Sequence, residues 1–404
     1  MSDADFPADF HWGAATAAHQ VEGGNVNCDW WDFEHDPGSA AVESSGDAID
    51  HYHRYAEDFV LLHSLGHNTH RLSVEWSRIE PAAGEFSVAA LAHYRRVLTA
   101  LLDVGLTPFA TLHHFTLPRW FAARGGWLAP DAVEVFGRYC REVAAALGDL
   151  MPFVCTINEP QMVALHGYLE GYHPPAVANP ALWKRVGGVL VDAHHEAVNA
   201  IRAVAPTASP GLCVQLPLLA PIRDDPACHA LHELMQYEIV DRYLDGLTGD
   251  WLGVQYYRKQ WVDPGSPTWF AAPPPEFALT QMGWAVHPDG LRQVLHHAAK
   301  RTGLPLFVTE NGIATGDDRE RIDYIEGHLR AVAQALAEGV DVRGYLHWSA
   351  FDNFEWSEGY RPTFGLVAVD RADDFARVPK PSAYALARVA ATGRLAALRE
   401  PSTA

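Results

Sequence analysis

Two glutamates close apolar runs in this chain. PFVCTINE (152–159) ends in Asn158 and Glu159, and LPLFVTE (304–310) ends in Glu310 with Asn311 next. An apolar run ended by a carboxyl reads as a buried strand that delivers an acid to its rim. Taken singly, each glutamate is as well explained by a turn before Pro160 or Gly312. Taken together, two carboxyls facing each other divide the work of cleaving a glycosidic bond: one protonates the leaving oxygen and the other attacks the sugar carbon. A third run, THRLSVEW (69–76), carries Arg71, a permanent cation suited to keeping one carboxyl ionised. With one of the pair ionised, at ~5.3 Å and an effective dielectric of ~20, its charge adds roughly 3 kcal/mol to the cost of ionising the other, about two pKa units. The neutral member then donates a proton near neutral pH, and accepts one once its partner's charge is consumed in a covalent bond.

The elements that must position these residues alternate along the chain. Apolar runs at 10–16, 69–76, 107–114, 152–159, 211–218, 251–257, 304–310 and 342–349 are each followed by a stretch of helical period. These stretches fall at about 51–65, 88–104, 136–147, 182–204, 229–244, 290–301, 322–336 and 382–391. Phe136, Cys140, Val143 and Leu147 share one helix face, as do Ile322, Ile325, Leu329, Val332 and Leu336. Eight such units, with strands apolar enough to be buried on both faces, predict an α/β fold: a single (β/α)8 TIM barrel with compact loops, residues 1–404 forming one catalytic domain. No GxGxxG follows the first run and no linker divides the chain, which disfavours an open doubly wound sheet. In a barrel the polar residues that end the strands line one mouth, and Glu159 and Glu310 fall there.

Composition removes several classes of partner. The 404 residues carry 30 Lys and Arg against 50 Asp and Glu, a formal charge of -20 that repels phosphate backbones and anionic headgroups; neither nucleic acid nor membrane is an expected partner. The opening MSDADFPADF lacks the basic start and apolar run of a secretory signal, so a cytoplasmic location is expected. Five scattered cysteines without a CxxC pair read as reduced fillers. The 22 histidines include no HExxH, and no catalytic metal is expected. Thirteen tryptophans remain to be placed, and indole faces suit the C–H faces of sugars.

Longer motifs carry a resemblance. FHWGAATAAHQVEG (10–23), TINEP (156–160), MGWAVHPDGL (282–291), VTENG (308–312) and HWSAFDNFEWSEGY (347–360) stand in the order found in family 1 glycoside hydrolases, the β-glucosidase and β-galactosidase type. The similarity runs from about Phe10 to Tyr384. It implies a retaining β-glycosidase acting on terminal, non-reducing β-glucosyl, galactosyl or fucosyl units of a small β-glycoside or oligosaccharide, with no metal or organic cofactor. Position by position, it makes Glu310 the nucleophile and Glu159 the acid/base; Arg71 and Tyr257 match the residues that hold the nucleophile, and Asn158 the one that binds the sugar 2-hydroxyl. Gln20, His114, Glu355 and Trp356 match sugar-hydroxyl ligands, Trp348 the platform under the ring, and Phe364 a contact near the 6-hydroxyl. Glu355 would repel a phosphate, so a non-phosphorylated sugar is expected. Two alternatives stand beside hydrolysis: a transglycosidase, in which an acceptor hydroxyl replaces water, and a non-catalytic sugar-binding barrel, which has no need of an acid/base pair.

Three positions depart from the family pattern. Gln255 stands where Asn is usual, and Phe115 and Thr116 where a Trp–Asp pair follows the histidine. The longer Gln255 predicts a shifted hydrogen bond beside the nucleophile. Phe115 removes an indole N–H open to a sugar hydroxyl. Both bear on glycon preference. The stretch between Glu159 and Glu310 is short for the family, which predicts trimmed loops after strands five and six and an open leaving-group side.

Overall fold

Eight strands close on one another, every adjacent pair parallel: β1 (His11–Ala15), β2 (Thr69–Ser73), β3 (Thr107–His113), β4 (Phe153–Asn158), β5 (Ser209–Gln215), β6 (Trp251–Gln255), β7 (Leu306–Asn311) and β8 (Val342–Trp348). Their order around the ring is β1-β8-β7-β6-β5-β4-β3-β2. The structure is a computed structural model and describes residues 5–400. The first four residues of the N-terminal stretch read for a secretory signal lie outside them. One long helix follows each strand: α1 (His51–Ser64), α2 (Val88–Asp103), α3 (Ala132–Leu147), α4 (Pro180–Val204), α5 (Pro226–Met235), α6 (Asp289–Thr302), α7 (Asp318–Ala337) and α8 (Pro381–Thr392).

The sequence dictates these elements locally. Every residue of β2 and β7 is buried, as strands sandwiched between barrel interior and helices must be. The Ser87, Asn179, Asp225 and Asp317 side chains each accept a backbone N–H in the first turn of the helix they precede. Each such cap is worth about 1 kcal/mol. Along α3 the buried Val135, Phe136, Tyr139, Cys140 and Val143 form the stripe that packs inward.

The floor of the barrel is aromatic. His11, Phe109, Phe153, Trp251 and Phe307, from five strands, meet there, with Phe109 and Phe153 stacked at 4.2 Å. Part of the tryptophan content is therefore packing, and the open end of the barrel is the opposite one. The segments after β1 and β8 cross over that mouth and meet: Trp30 lies against Trp356 at 4.7 Å, and the Tyr360 N–H donates to Glu43.

Three expectations change. Strand five, expected over 211–218, runs from Ser209 to Gln215; Leu218–Pro221 is a separate short strand in a three-stranded sheet with Lys259–Val262 and Phe270–Ala271. Val367–Asp370 and Ala376–Pro379 add a hairpin. Strands this short offer too few residues for a two-residue period to register. The helix expected at 229–244 begins at Pro226 and widens after Met235 into a π-helical turn, Gln236–Asp241. All five cysteines are buried and free of disulfides. Among the described residues no helix is long and apolar enough to cross a membrane, and no three His, Cys, Asp or Glu side chains gather as metal ligands would.

Candidate active site

The two glutamates leave their strands through matched irregularities. The β4–β5 register shifts between Cys155 and Asn158, and the β7–β6 register between Val308 and Glu310. A bulge re-aims the residue that follows it, so both carboxyls turn into the mouth instead of alternating outward. Beyond Glu310 the chain is held tightly. Asn311 Nδ2 donates to the Tyr256 carbonyl at 2.5 Å, and a Cβ at Gly312 would lie 1.7 Å from the Trp348 carbonyl oxygen. Glycine is the residue that fits.

Glu310 is gripped on both oxygens. Arg71 Nη1 donates to Oε1, and the Tyr257 hydroxyl donates to Oε2 at 2.5 Å. The other arm of the Arg71 fork donates to Asn158 Oδ1 at 2.5 Å, and Gln255 Nε2 donates to the same oxygen at 2.9 Å. Arg71 cannot accept, so the Asn158 oxygen is fixed on that side and its Nδ2 faces His114 Nε2 at 3.2 Å. The His114 proton is thereby assigned to Nδ1. Burial, helped by the Arg71 charge, holds His114 well below its ordinary pKa, so the ring is neutral.

Glu159 is held far more lightly. Its backbone lies in the left-handed region (φ 46°), a strained place for a residue with a side chain, costing about 1–3 kcal/mol. The backbone is secured by its N–H to the Cys213 carbonyl at 2.8 Å and by Pro160, which opens the next helical turn where its missing N–H costs nothing. The carboxyl itself accepts one hydrogen bond, from Gln215 Nε2 at 3.2 Å.

These environments separate the two acids. Burial, and then the Glu310 charge, push Glu159 well above the usual carboxyl range, against a smaller opposing pull from Arg71 and Gln215. Burial raises Glu310 too, outweighing Arg71 and Tyr257, but by less. Arg71 thus moderates the rise at Glu310 and does not reverse it. Glu310 is the first of the pair to ionise.

Both carboxyls line a cavity of about 240 Å³, together with His114, Asn158, Tyr257, Trp348, Glu355, Trp356 and Phe364. His114 lies between Trp348 and Trp356, near-parallel to each at 6.1 Å. Burial, and then the Glu310 charge, raise Glu355 to about 8. Two expected residues lie behind the lining. Arg71 sits under Glu310, and Gln20 is fully buried, its Nε2 donating to the Phe354 carbonyl at 2.7 Å and to Glu355 at 3.3 Å.

The sequence profile of glycosyl hydrolase family 1 matches residues 2–248 and 248–394. The chain belongs to that family. It is 32% identical to β-glucosidase A of Thermotoga maritima, over 95% of this chain and 97% of that one. It is 34% identical to a bifunctional β-D-glucosidase/β-D-fucosidase of Bifidobacterium breve, over 90% and 94%. Among solved structures, a β-glycosidase from Pyrococcus horikoshii superposes with a TM-score of 0.91 at 35% identity, covering 100% of this chain and 99% of that one. The family 1 chain is a β-glycosidase.

Within this family 1 enzyme the three departures separate. Phe115 lines the cavity, edge-on to Trp356 at 5.0 Å, whereas Thr116 points away from it and donates to Glu75 at 2.9 Å. Gln255 bonds Asn158, not Glu310. Gln215 and Arg258 also line the cavity, and both had readable positions: Gln215 ends β5 as Glu159 follows β4, and Arg258 directly follows Tyr257. His173, which also lines it, sits in an aperiodic segment and carried no signal.

Proposed function

We propose that this β-glycosidase retains anomeric configuration, with Glu310 as nucleophile and Glu159 as acid/base. The observation that carries the reading is the asymmetry at the cavity: Glu310 bound on both oxygens by Arg71 and Tyr257, Glu159 by one long amide bond. Glu310 attacks the anomeric carbon as the bond to the leaving oxygen breaks and the Glu159 proton passes to that oxygen. Glu159, now a carboxylate, takes a proton from water; the water oxygen attacks the same carbon and Glu310 departs. Two inversions leave the β anomer.

Arg71 and Tyr257 position the nucleophile. His114, Asn158, Glu355, Trp356 and Phe364 bind the glycon, and Trp348 stacks beneath it. Gln20 contributes by orienting Glu355 from behind. The glycon is a terminal β-glucosyl, galactosyl or fucosyl unit; residues 1–404 act as one catalytic unit, located in the cytoplasm. The test is a panel of 4-nitrophenyl β-glycosides followed by proton NMR. Hydrolysis with the β anomer formed first is expected; the α anomer first would mean inversion and overturn the role of Glu310.

A further inference from the structure

One charge in the cavity has no counterpart. Arg258 lines the wall next to Tyr257, half-buried, with its guanidinium 4.8 Å over the Trp284 ring. Among the described residues its side chain makes no ion pair and no hydrogen bond. The neighbouring acids are already occupied: Glu170 accepts from His166 Nδ1 at 2.7 Å, and Glu358 from Arg361. Burial lowers the Arg258 pKa, and the surrounding Tyr172, Glu170 and Glu159 do not offset it. The cation is thus undercompensated, and a partly desolvated charge without an ionic partner is costly.

Its place on the cavity wall identifies what meets it. The backbone ties Arg258 to the Glu159 side: its carbonyl accepts from the Leu218 N–H at 3.2 Å, three residues beyond Gln215, whose amide bonds Glu159, and Gln215, Tyr172 and Glu159 line the same cavity. Glu159 must reach the glycosidic oxygen, so a side chain grouped with it on this wall faces the leaving group. A guanidinium offers two parallel N–H donors spaced for a carboxylate. We propose that Arg258 forms a leaving-group subsite selective for aglycones that carry a carboxylate, while the glycon remains neutral. The inference rests on the function proposed above and extends it to the aglycone.

The test compares 4-carboxyphenyl β-D-glucoside with its neutral isostere, 4-carbamoylphenyl β-D-glucoside, in wild type, Arg258→Gln and Arg258→Lys. The quantity read is the ratio of kcat/KM for the two substrates within each protein, in which changes in folding or in the chemical step cancel. Relative to Arg258→Gln, wild type should favour the carboxylate by about tenfold, as expected for a charge-assisted hydrogen bond. Arg258→Lys should retain part of that preference. Wild type that cleaves both glycosides at a ratio unchanged by Arg258→Gln overturns this inference alone. Wild type that cleaves neither overturns the parent reading and this one with it.

Discussion

The ends of β4 and β7 are built from the same pattern, an apolar run, a bulge and a glutamate, and they differ in everything that then touches the carboxyl. At the end of β7, an arginine and a tyrosine fix both oxygens of Glu310, and Asn311 and Gly312 lock the backbone beyond it. At the end of β4, the backbone of Glu159 is strained and fixed, while its carboxyl meets one amide. Buried charge is stabilised where an anion is needed and left unstabilised where a proton must be held. Two chemically identical side chains thus meet opposite surroundings, as the proposed division of roles requires.

Removing the carboxyls should expose that difference most strongly. Glu310→Gly is expected to lower kcat/KM by about 10⁴-fold or more, as loss of a nucleophile does. Added azide should then attack the free face and give the α-glycosyl azide. Glu159→Ala should cost on the order of 10²–10⁴-fold with a leaving group that needs protonation, and far less with 2,4-dinitrophenolate, which does not. Azide here should give the β-glycosyl azide, because it meets a glycosyl-enzyme on the opposite face. The same azide anomer from both variants would remove the distinction between the two sites.

Why some of this was legible from residues alone follows from the same contrast. Glu159 and Glu310 close strands whose largely apolar character makes the ends visible, and the barrel follows from counting such runs; Arg71 lies in the more polar β2. Phe115 and Thr116 stand side by side as departures from the family pattern, yet only Phe115 reaches the cavity. A reversal of that kind depends on backbone direction, and Phe115 lies in the left-handed region (φ 70°), which no side-chain pattern announces. Gln20 matched a sugar ligand by motif, but only the fold shows it bonded to Glu355 from behind. Gln215 was missed although it obeys the strand-end rule, because the apolar run continues past it through Leu216 to Leu218 and hides where β5 stops.

Single hydrogen bonds should sharpen the comparison by acting on different limbs of the pH profile. The Tyr257 hydroxyl favours ionised Glu310, and a hydrogen bond to a charged group is worth about 1.5–3 kcal/mol. Tyr257→Phe should therefore lower kcat/KM by roughly 10- to 100-fold. The glutamate must be ionised to attack, and losing the donor raises its pKa. The acid limb of kcat/KM should accordingly move to higher pH while the alkaline limb stays. An acid limb that stays in place would mean that the tyrosine does not stabilise the anion.

The smallest effect is expected at Gln215, and its direction is the most telling. Its amide bonds Glu159 at 3.2 Å and favours the carboxylate, in opposition to burial and to the Glu310 charge. Gln215→Leu should raise the Glu159 pKa further. The acid must be protonated for the first step, so the alkaline limb should rise in pH, by less than about one unit for so long a bond. The acid limb should not move, and the plateau of kcat/KM should fall by no more than about threefold. Both deletions raise a carboxyl pKa, yet one narrows the active range from the acid side and the other widens it on the alkaline side. The two glutamates titrate as a coupled pair, so this division between limbs is what separates distinct roles from a shared site. Equal movement of both limbs in either variant would mean that the proton and the negative charge are not assigned to different strands.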